Sequence, residues 1–145
     1  MPYMAQEPTF LPLTVAAARS AAGQSGDSPS RASAQVVQRR AEEANAAAAD
    51  CWTALLAGCD SPGRRALPSR LRALSQATSA YAGETWWTGT GAVHRRRVTE
   101  AEMRIGEAVR DGDGAEFAEA FVGYDQAVAT VVVCARGSRG TTVTT

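Results

Sequence analysis

Residues 30–57 contain neither proline nor glycine, and this uninterrupted stretch constrains the fold more than any other feature of the sequence. Ser28 and Pro29 precede it, the residue types favoured at the N-cap and first position of a helix, and Gly58 is a typical helix end. Small or apolar side chains recur within it at alternating steps of four and three: Val37, Ala41, Ala44, Ala48, Cys51 and Leu55. This heptad spacing is typical of a helix that buries one face against another helix. The sequence therefore predicts a helix of about 29 residues, roughly 43 Å long, whose alanine-lined half packs closely against a neighbour.

Three further segments carry similar spacing, so we predict an all-α antiparallel bundle of about four helices. The second helix is predicted over 68–82. The third begins at Thr99, with Glu102 completing a capping box, or alternatively near Ala92. The fourth follows Asp113 and buries a stripe of large side chains: Phe117, Phe121, Tyr124, Val128, Val131 and Ala135.

Both ends of the chain are predicted to be flexible. Residues 1–28 are punctuated by prolines and end in a linker-like composition, although 13–22 has the composition of a short helix that needs docking to be stable. Residues 137–145 are polar and rich in threonine, which is typical of a disordered tail. The helical bundle domain is therefore expected to span 29–136.

The overall composition excludes several classes of protein. Fifteen arginines balance fifteen acidic residues and there is no lysine, which argues against a general nucleic-acid coat. The chain has no apolar run near 18 residues and does not begin like a signal peptide, so we expect a cytoplasmic protein with no membrane span. An odd number of cysteines fits a reducing compartment. Thirty alanines, with one isoleucine and one asparagine, are typical of a high-GC bacterial genome.

The balanced total hides two charged blocks. Residues 64–104 hold eight arginines against three acidic residues, a net charge of +5, and 105–125 hold six acidic residues against one arginine, a net charge of −5. Neighbouring helices can neutralise each other in this way, which is the interpretation we favour. Alternatively, the arginines of the basic block bind nucleic acid or another polyanion, because guanidinium groups suit phosphate. The arginines concerned are Arg64, Arg65, Arg70 and Arg72, with Arg95, Arg96 and Arg97.

The sequence contains no recognisable constellation of catalytic residues. His94 is the only histidine and lies beside three arginines, outside any nucleophile motif. Together with Cys51, Cys59 and Cys134 it lacks the close cysteine pair of a zinc site. We interpret the cysteines as buried small hydrophobic residues. We therefore expect no catalytic residue, no cofactor and no metal.

The adjacent Trp86 and Trp87 are the most conspicuous candidates for contact with a partner. Side chains one residue apart on a helix point about 100° apart, so one tryptophan is expected in the core and the other at the end of the bundle or against a partner. Tryptophan and arginine are enriched at binding hot spots. We therefore hypothesise a non-enzymatic interaction or adaptor protein that binds another protein or a second copy of itself. The residues assigned to this role are Trp86, Trp87, Arg95, Arg96 and Arg97.

The triplet Trp87-Thr88-Gly89, between two helices, resembles the W-x-G turn of the WXG family, small helical hairpins that are substrates of type VII secretion. The resemblance covers these three residues and their helical context, and it implies a secreted helical hairpin as a further alternative. The chain departs from that family in its greater length and in helical arms interrupted at 61–63 and 112–114. The family's Tyr-x-x-x-Asp/Glu signal is not found after the last helix.

Overall fold

The computed structural model describes residues 9–24 and 26–142, and these fold entirely into α-helices and their connections. The all-α prediction is confirmed, with six helices in the described ranges instead of about four. The helices are α1 (Pro12–Gln24), α2 (Ser28–Ala57), α3 (Pro62–Ala82), α4 (Glu84–Thr88), α5 (Ala92–Asp111) and α6 (Gly114–Thr142).

The long helix α2 matches its prediction closely. All six residues of the predicted heptad stripe are buried. The N-cap is Asp27 and not Ser28, because the Asp27 carboxylate accepts the backbone N–H of Ser30 at 2.8 Å. Gly58 ends the helix with a left-handed backbone, φ 72°, which glycine adopts without strain. A heptad pattern and a glycine stop are local signals, so the sequence carried enough information here.

The helix α3 begins six residues earlier than predicted. Ser61 is its N-cap and accepts the backbone N–H of Arg64 at 3.0 Å, with Pro62 in the first turn. This serine-proline pair is the same start signal that precedes α2. Pro68 lies within the helix on its exposed side, where it costs one backbone hydrogen bond and leaves the buried face intact.

The helix α5 begins at Ala92, the alternative start, and the predicted capping box at Thr99 is wrong. Thr99 donates its hydroxyl to the Arg95 carbonyl one turn earlier, at 3.1 Å. Glu102 instead accepts a hydrogen bond from Ser75 on α3, at 2.8 Å. With no proline or glycine from residue 92 to 105, nothing interrupts the helix at Thr99.

The helix α6 starts as predicted, since the Asp113 carboxylate accepts the backbone N–H of Glu116 at 3.0 Å. The helix is assigned as far as Thr142, and 143–145 lie outside the described residues. The disorder expected for 137–145 stays a prediction. Glycine, serine and threonine each weaken a helix by no more than about 1 kcal/mol, which does not stop a long one. The stretch Gly114–Gly137 is long and apolar enough to cross a membrane by those two criteria, but 56% of its most apolar window is buried within the protein, as in a core helix.

The N-terminal segment contains the short helix that the composition of 13–22 predicts, docked on α2 and α6. The expected flexible region contains α1, which packs against α2 and α6 through fully buried Leu11, Thr14 and Ala18. Residues 1–8 and 25 lie outside the described residues. Docking supplies the stability that a helix of this length lacks alone.

Two polar side chains on other helices hold this segment in place. The carboxylate of Asp125 on α6, which is 3% exposed, accepts the backbone N–H groups of Leu13 (3.1 Å) and Thr14 (2.8 Å) and the Thr14 hydroxyl (2.7 Å). The amide oxygen of Asn45 on α2 accepts the backbone N–H groups of Phe10 (2.7 Å) and Leu11 (3.1 Å). Asp125 and Asn45 thus satisfy the unpaired donors at the start of α1 from outside that helix.

The order of contacts gives the helix directions. Asp50 accepts the backbone N–H of Gly63 at 2.6 Å, and Glu43, earlier on α2, lies 3.9 Å from Arg70, later on α3. These two helices therefore run antiparallel. Thr14 pairs with Asp125, and Gln24 accepts a hydrogen bond from Arg136, so α1 and α6 run parallel.

Candidate functional site

Trp86 forms the centre of the corner between α4 and α5. Its indole stacks on the imidazole of His94, with ring centroids 6.0 Å apart and planes within 4°. Gly91 is buried directly against this indole, and a side chain there would overlap the six-membered ring of Trp86. The Gly91 N–H also donates to the Trp86 carbonyl at 2.7 Å. The chain needs a glycine at position 91 because the backbone approaches the ring so closely.

Both tryptophans are half-buried and pack against the hydrophobic core. Neither tryptophan is fully buried, so both, and not one, take the position expected for the second tryptophan at the end of the core. Contact with a partner stays a prediction. The helix α4 has only five residues, so both side chains can wrap around the end of the core, each leaving part of its ring exposed.

The structure separates Arg95, Arg96 and Arg97, because neighbouring residues on a helix point in different directions. Arg95 is half-buried and donates to the Trp87 carbonyl at 3.3 Å. Arg96 is exposed. Arg97 is exposed at the edge of a groove between α5 and α6.

This α5–α6 groove has a volume of about 460 Å³. It exists partly because Gly123 on α6 has no side chain, and an added Cβ there would have no neighbouring atom within 4 Å. The polar side chains that line it are His94, Arg97, Glu100 and Arg104 from α5, with Gln126 and Thr130 from α6.

Positive charge prevails on the α5 side of the groove. Arg104 holds Glu116 at the start of α6 through two hydrogen bonds, at 2.8 and 3.1 Å, and this carboxylate raises the pKa of Arg104. The Nδ1 atom of His94 is buried and has no hydrogen-bond partner among the described residues. The Thr130 hydroxyl donates to the Gln126 carbonyl of its own helix at 2.7 Å. The groove therefore offers cationic and hydrogen-bonding groups suited to a carboxylate or amide.

Most arginines of the alternative polyanion patch make contacts within the chain. Arg64 donates to the carbonyls of Cys59 and Val109, both at 2.9 Å, and so joins the ends of α2 and α5. The other side chains follow: Arg65 pairs with Asp60 at 2.6 Å, Arg70 lies 3.9 Å from Glu43, and Arg72 is exposed. The pKa of Asp60 is lowered, chiefly by its hydrogen bond from Arg65.

The structure places Arg64 and Arg97 far apart along α5. Arg64 contacts Val109 near the end of α5, whereas Arg97 lies twelve residues earlier on the same helix. At 1.5 Å per residue, that separation is about 18 Å along the helix axis.

The cysteines only partly match their prediction. Cys51 is buried, as expected, and burial raises its pKa to about 11. Cys59 and Cys134 are exposed, so the prediction is wrong for these two. Across residues 9–24 and 26–142, no three His, Cys, Asp or Glu side chains come together in a way that could hold a metal ion.

Sequence reasoning missed the groove and the polar groups that dock α1. Gly123 and Asp125 both interrupt the apolar stretch of α6, and Asn45 interrupts the alanine run of α2. Those interruptions were the available signal. The triplet Trp87-Thr88-Gly89 lies where α4 ends, within a fold of six described helices and not a two-helix hairpin.

Comparison of the chain with family models, with curated proteins and with solved structures finds no match.

Proposed function

We propose that this chain is a non-enzymatic adaptor that binds an acidic segment of a protein partner along the α5–α6 groove. The observation that carries the proposal is an open groove of about 460 Å³ with the exposed guanidinium of Arg97 at its edge, beside the stacked rings of His94 and Trp86. In this proposal α2, α3, α5 and α6 form the antiparallel bundle expected from the sequence, and α1 and α4 are additions to it.

The charge of the groove supports an acidic partner. The exposed Arg97 can donate hydrogen bonds to a carboxylate, whereas Arg104 already donates to Glu116. Glu100 is the acidic residue among those that line the groove. The half-buried Trp86, stacked on His94, adds aromatic surface at the same corner. Cationic and aromatic groups that lie side by side are typical of binding hot spots.

Binding is favoured over catalysis by what surrounds His94. A general base is normally oriented by a hydrogen bond to its second nitrogen and lies within reach of a nucleophile. The ring of His94 is positioned by stacking, and Thr130, the hydroxyl that lines the groove, donates to its own helix. The expected setting is the cytoplasm, which the odd number of cysteines supports.

The test is affinity capture from the native host with tagged wild type and three variants of matched expression. Gly123→Leu fills the groove, Arg97→Glu reverses the charge at its edge, and Arg72→Glu is the control, an exposed arginine on α3. We expect at least one protein to be captured by wild type and Arg72→Glu and to be lost from both groove variants. Identical captured sets from all four proteins, with unchanged circular dichroism, would overturn the proposal.

A mobility assay with DNA and RNA across a salt series separates this function from the polyanion alternative. Phosphate binding must weaken steeply as salt rises. Salt-sensitive binding that Arg72→Glu removes and Arg97→Glu leaves intact would assign the function to the arginines of α3 instead.

A further inference from the structure

The side chains that α1 buries within its own length are small. They are Thr14, Ala18 and Ala21, whereas α6 buries large side chains such as Phe117 and Phe121. Hydrophobic stabilisation is roughly proportional to the apolar area removed from water, so the buried face of α1 contributes little to its docking. A helix of 13 residues is also too short to be stable when it is detached.

The large apolar contacts of the N-terminal segment come from two residues that precede α1. Leu11 is fully buried, and the ring of Phe10 packs against three other aromatic rings. Its centroid lies 6.0 Å from that of Trp52 on α2, and 5.5 and 5.3 Å from those of Phe117 and Phe121 on α6. The segment is therefore anchored at its N-terminal end, where Phe10 covers an aromatic cluster formed by α2 and α6.

The polar contacts at the same end can be exchanged for water. The side chains of Asn45 and Asp125 accept the backbone N–H groups of four residues between 10 and 14. When α1 leaves the bundle, these donors and acceptors reach solvent, so the net cost of breaking each hydrogen bond is small. The Asp125 carboxylate also regains hydration that it lacks while α1 covers it. These hydrogen bonds therefore fix the position of α1 without preventing its release.

The other end of α1 is loosely held. An added Cβ at Gly23, in the last turn of α1, or at Gly26, between α1 and α2, would have no neighbouring atom within 4 Å. The exposed Gln24 accepts one hydrogen bond from Arg136 of α6. Hinges are typically a few residues at the end of an element that are free to change their backbone angles. The C-terminal end of α1 has this character.

We propose that residues 10–24 act as a strap that opens as one unit about Gly26 while the other helices stay folded. In the open state Phe10 leaves Trp52, Phe117 and Phe121, so the aromatic cluster that it covers becomes accessible. Openings of this kind occur at a lower free energy than global unfolding. The proposal does not depend on the adaptor function.

The first test is native-state hydrogen exchange of the full chain across a series of low urea concentrations, followed by mass spectrometry. Relative to their intrinsic rates, we expect the amides of residues 15–24 to exchange at least about tenfold faster than the most protected amides of α2 and α6. Their exchange should also depend less on urea, because opening the strap exposes less surface than global unfolding does. Equal protection and equal urea dependence in all three helices would overturn the proposal.

The second test uses two variants to distinguish opening of the strap from fraying of its end and from global unfolding. Phe10→Ala removes the aromatic anchor and should speed the exchange of all amides of residues 15–24 by the same factor, at least about tenfold, because they share one opening. The control is Ile105→Val, which removes a buried methyl group from α5. It should speed the exchange of the most protected α5 amides by about fivefold and leave 15–24 unchanged, since residue 105 stays buried when the strap opens. A graded effect of Phe10→Ala along α1, or an equal effect of Ile105→Val on α1 and α5, would overturn the proposal.

Discussion

The helices α1 and α5 pack on different sides of α6, and the polar groups at these two interfaces differ in whether they are hydrogen-bonded within the protein. On the α1 side, the Asp125 carboxylate accepts three hydrogen bonds of 2.7 to 3.1 Å from the start of α1 and is almost completely buried. On the α5 side, Gly123 leaves a groove open and the Nδ1 of His94 has no described partner. The first arrangement uses its polar groups to hold the fold, whereas the second leaves the guanidinium of Arg97 exposed at the edge of the groove.

The energetic reason for this difference is the cost of burying charge. A carboxylate removed from water costs several kcal/mol unless donors replace its hydration. The N–H groups of Leu13 and Thr14 would be unpaired at the start of α1 and therefore provide those donors. On the α5 side no such exchange is needed for the guanidinium groups of Arg97 and Arg104, because both side chains are exposed to water. The polar contacts of the α1 side are therefore structural, and the proposed binding site lies on the α5 side.

The largest expected loss of stability comes from removing the carboxylate that holds the start of α1. Asp125→Ala leaves two backbone N–H groups without their acceptor, while the Thr14 hydroxyl keeps the backbone carbonyl of residue 125, at 3.2 Å. We therefore expect a loss of about 3 kcal/mol in the free energy of unfolding. Urea denaturation measures it. The matched control is Asp113→Ala, which removes an exposed helix cap and should cost about 1 kcal/mol. Equal losses for the two variants would show that the buried position of Asp125 adds nothing.

The next largest effect on stability is expected at the corner between α4 and α5, beside the groove. In Gly91→Ala the new methyl group overlaps the indole of Trp86, and we expect a loss of about 1–3 kcal/mol from overpacking. The φ angle of Gly91 is −84°, so the methyl group adds no backbone strain and the loss is purely steric. Urea denaturation followed by tryptophan fluorescence should show both the loss and a changed emission from Trp86. An unchanged midpoint would mean that the corner is loosely packed in solution.

A substitution of the same kind inside the groove should have the opposite sign. Gly123→Ala adds a methyl group where no atom lies within 4 Å, and alanine favours a helix over glycine by about 0.8–1.0 kcal/mol. We therefore expect a stabilisation of that order in the same urea assay. A destabilisation would show that α5 and α6 move together in solution, so that the groove between them is not open.

The smallest expected effect concerns the reactivity of the thiols, which should differ between buried and exposed cysteines. Burial raises the pKa of Cys51 to about 11, above its ordinary value of 9.0. At pH 8 we expect Cys59 and Cys134 to react with a disulfide reagent in the folded protein, and Cys51 to react only on unfolding. Fast reaction of all three thiols would contradict the burial of Cys51.

The raised pKa of Cys51 also predicts that stability depends on pH. Between pH 9.0 and about 11 the folded protein retains the Cys51 proton that the unfolded chain has lost, so the free energy of unfolding falls as pH rises through that window. Below pH 9.0 the thiol is protonated in both states and contributes no slope. Cys51→Ala should remove this part of the slope in urea titrations at pH 8 and pH 10.

Local patterns were sufficient for much of the fold. The heptad stripe of α2, the glycine at position 58 and the cap at Asp113 act within a few residues of one another, so they can be read directly from the sequence. The starts of α3 and α5 were predicted too late, although each has a local signal. For α3 the signal is the serine-proline pair at 61 and 62, and for α5 it is the uninterrupted run that begins at Ala92. The sequence pointed to the tryptophans and arginines of the candidate site, but it did not predict how they are arranged.

Contacts distant in sequence decided the rest. The docking of α1 depends on Asp125, more than one hundred residues away from Thr14, and the groove depends on a missing side chain at Gly123 opposite His94. No periodicity or turn signal links such positions, because the helices that carry them meet only after the chain has folded. The sequence alone therefore establishes helices and their buried faces, whereas tertiary packing decides which polar groups are enclosed and which remain exposed to water.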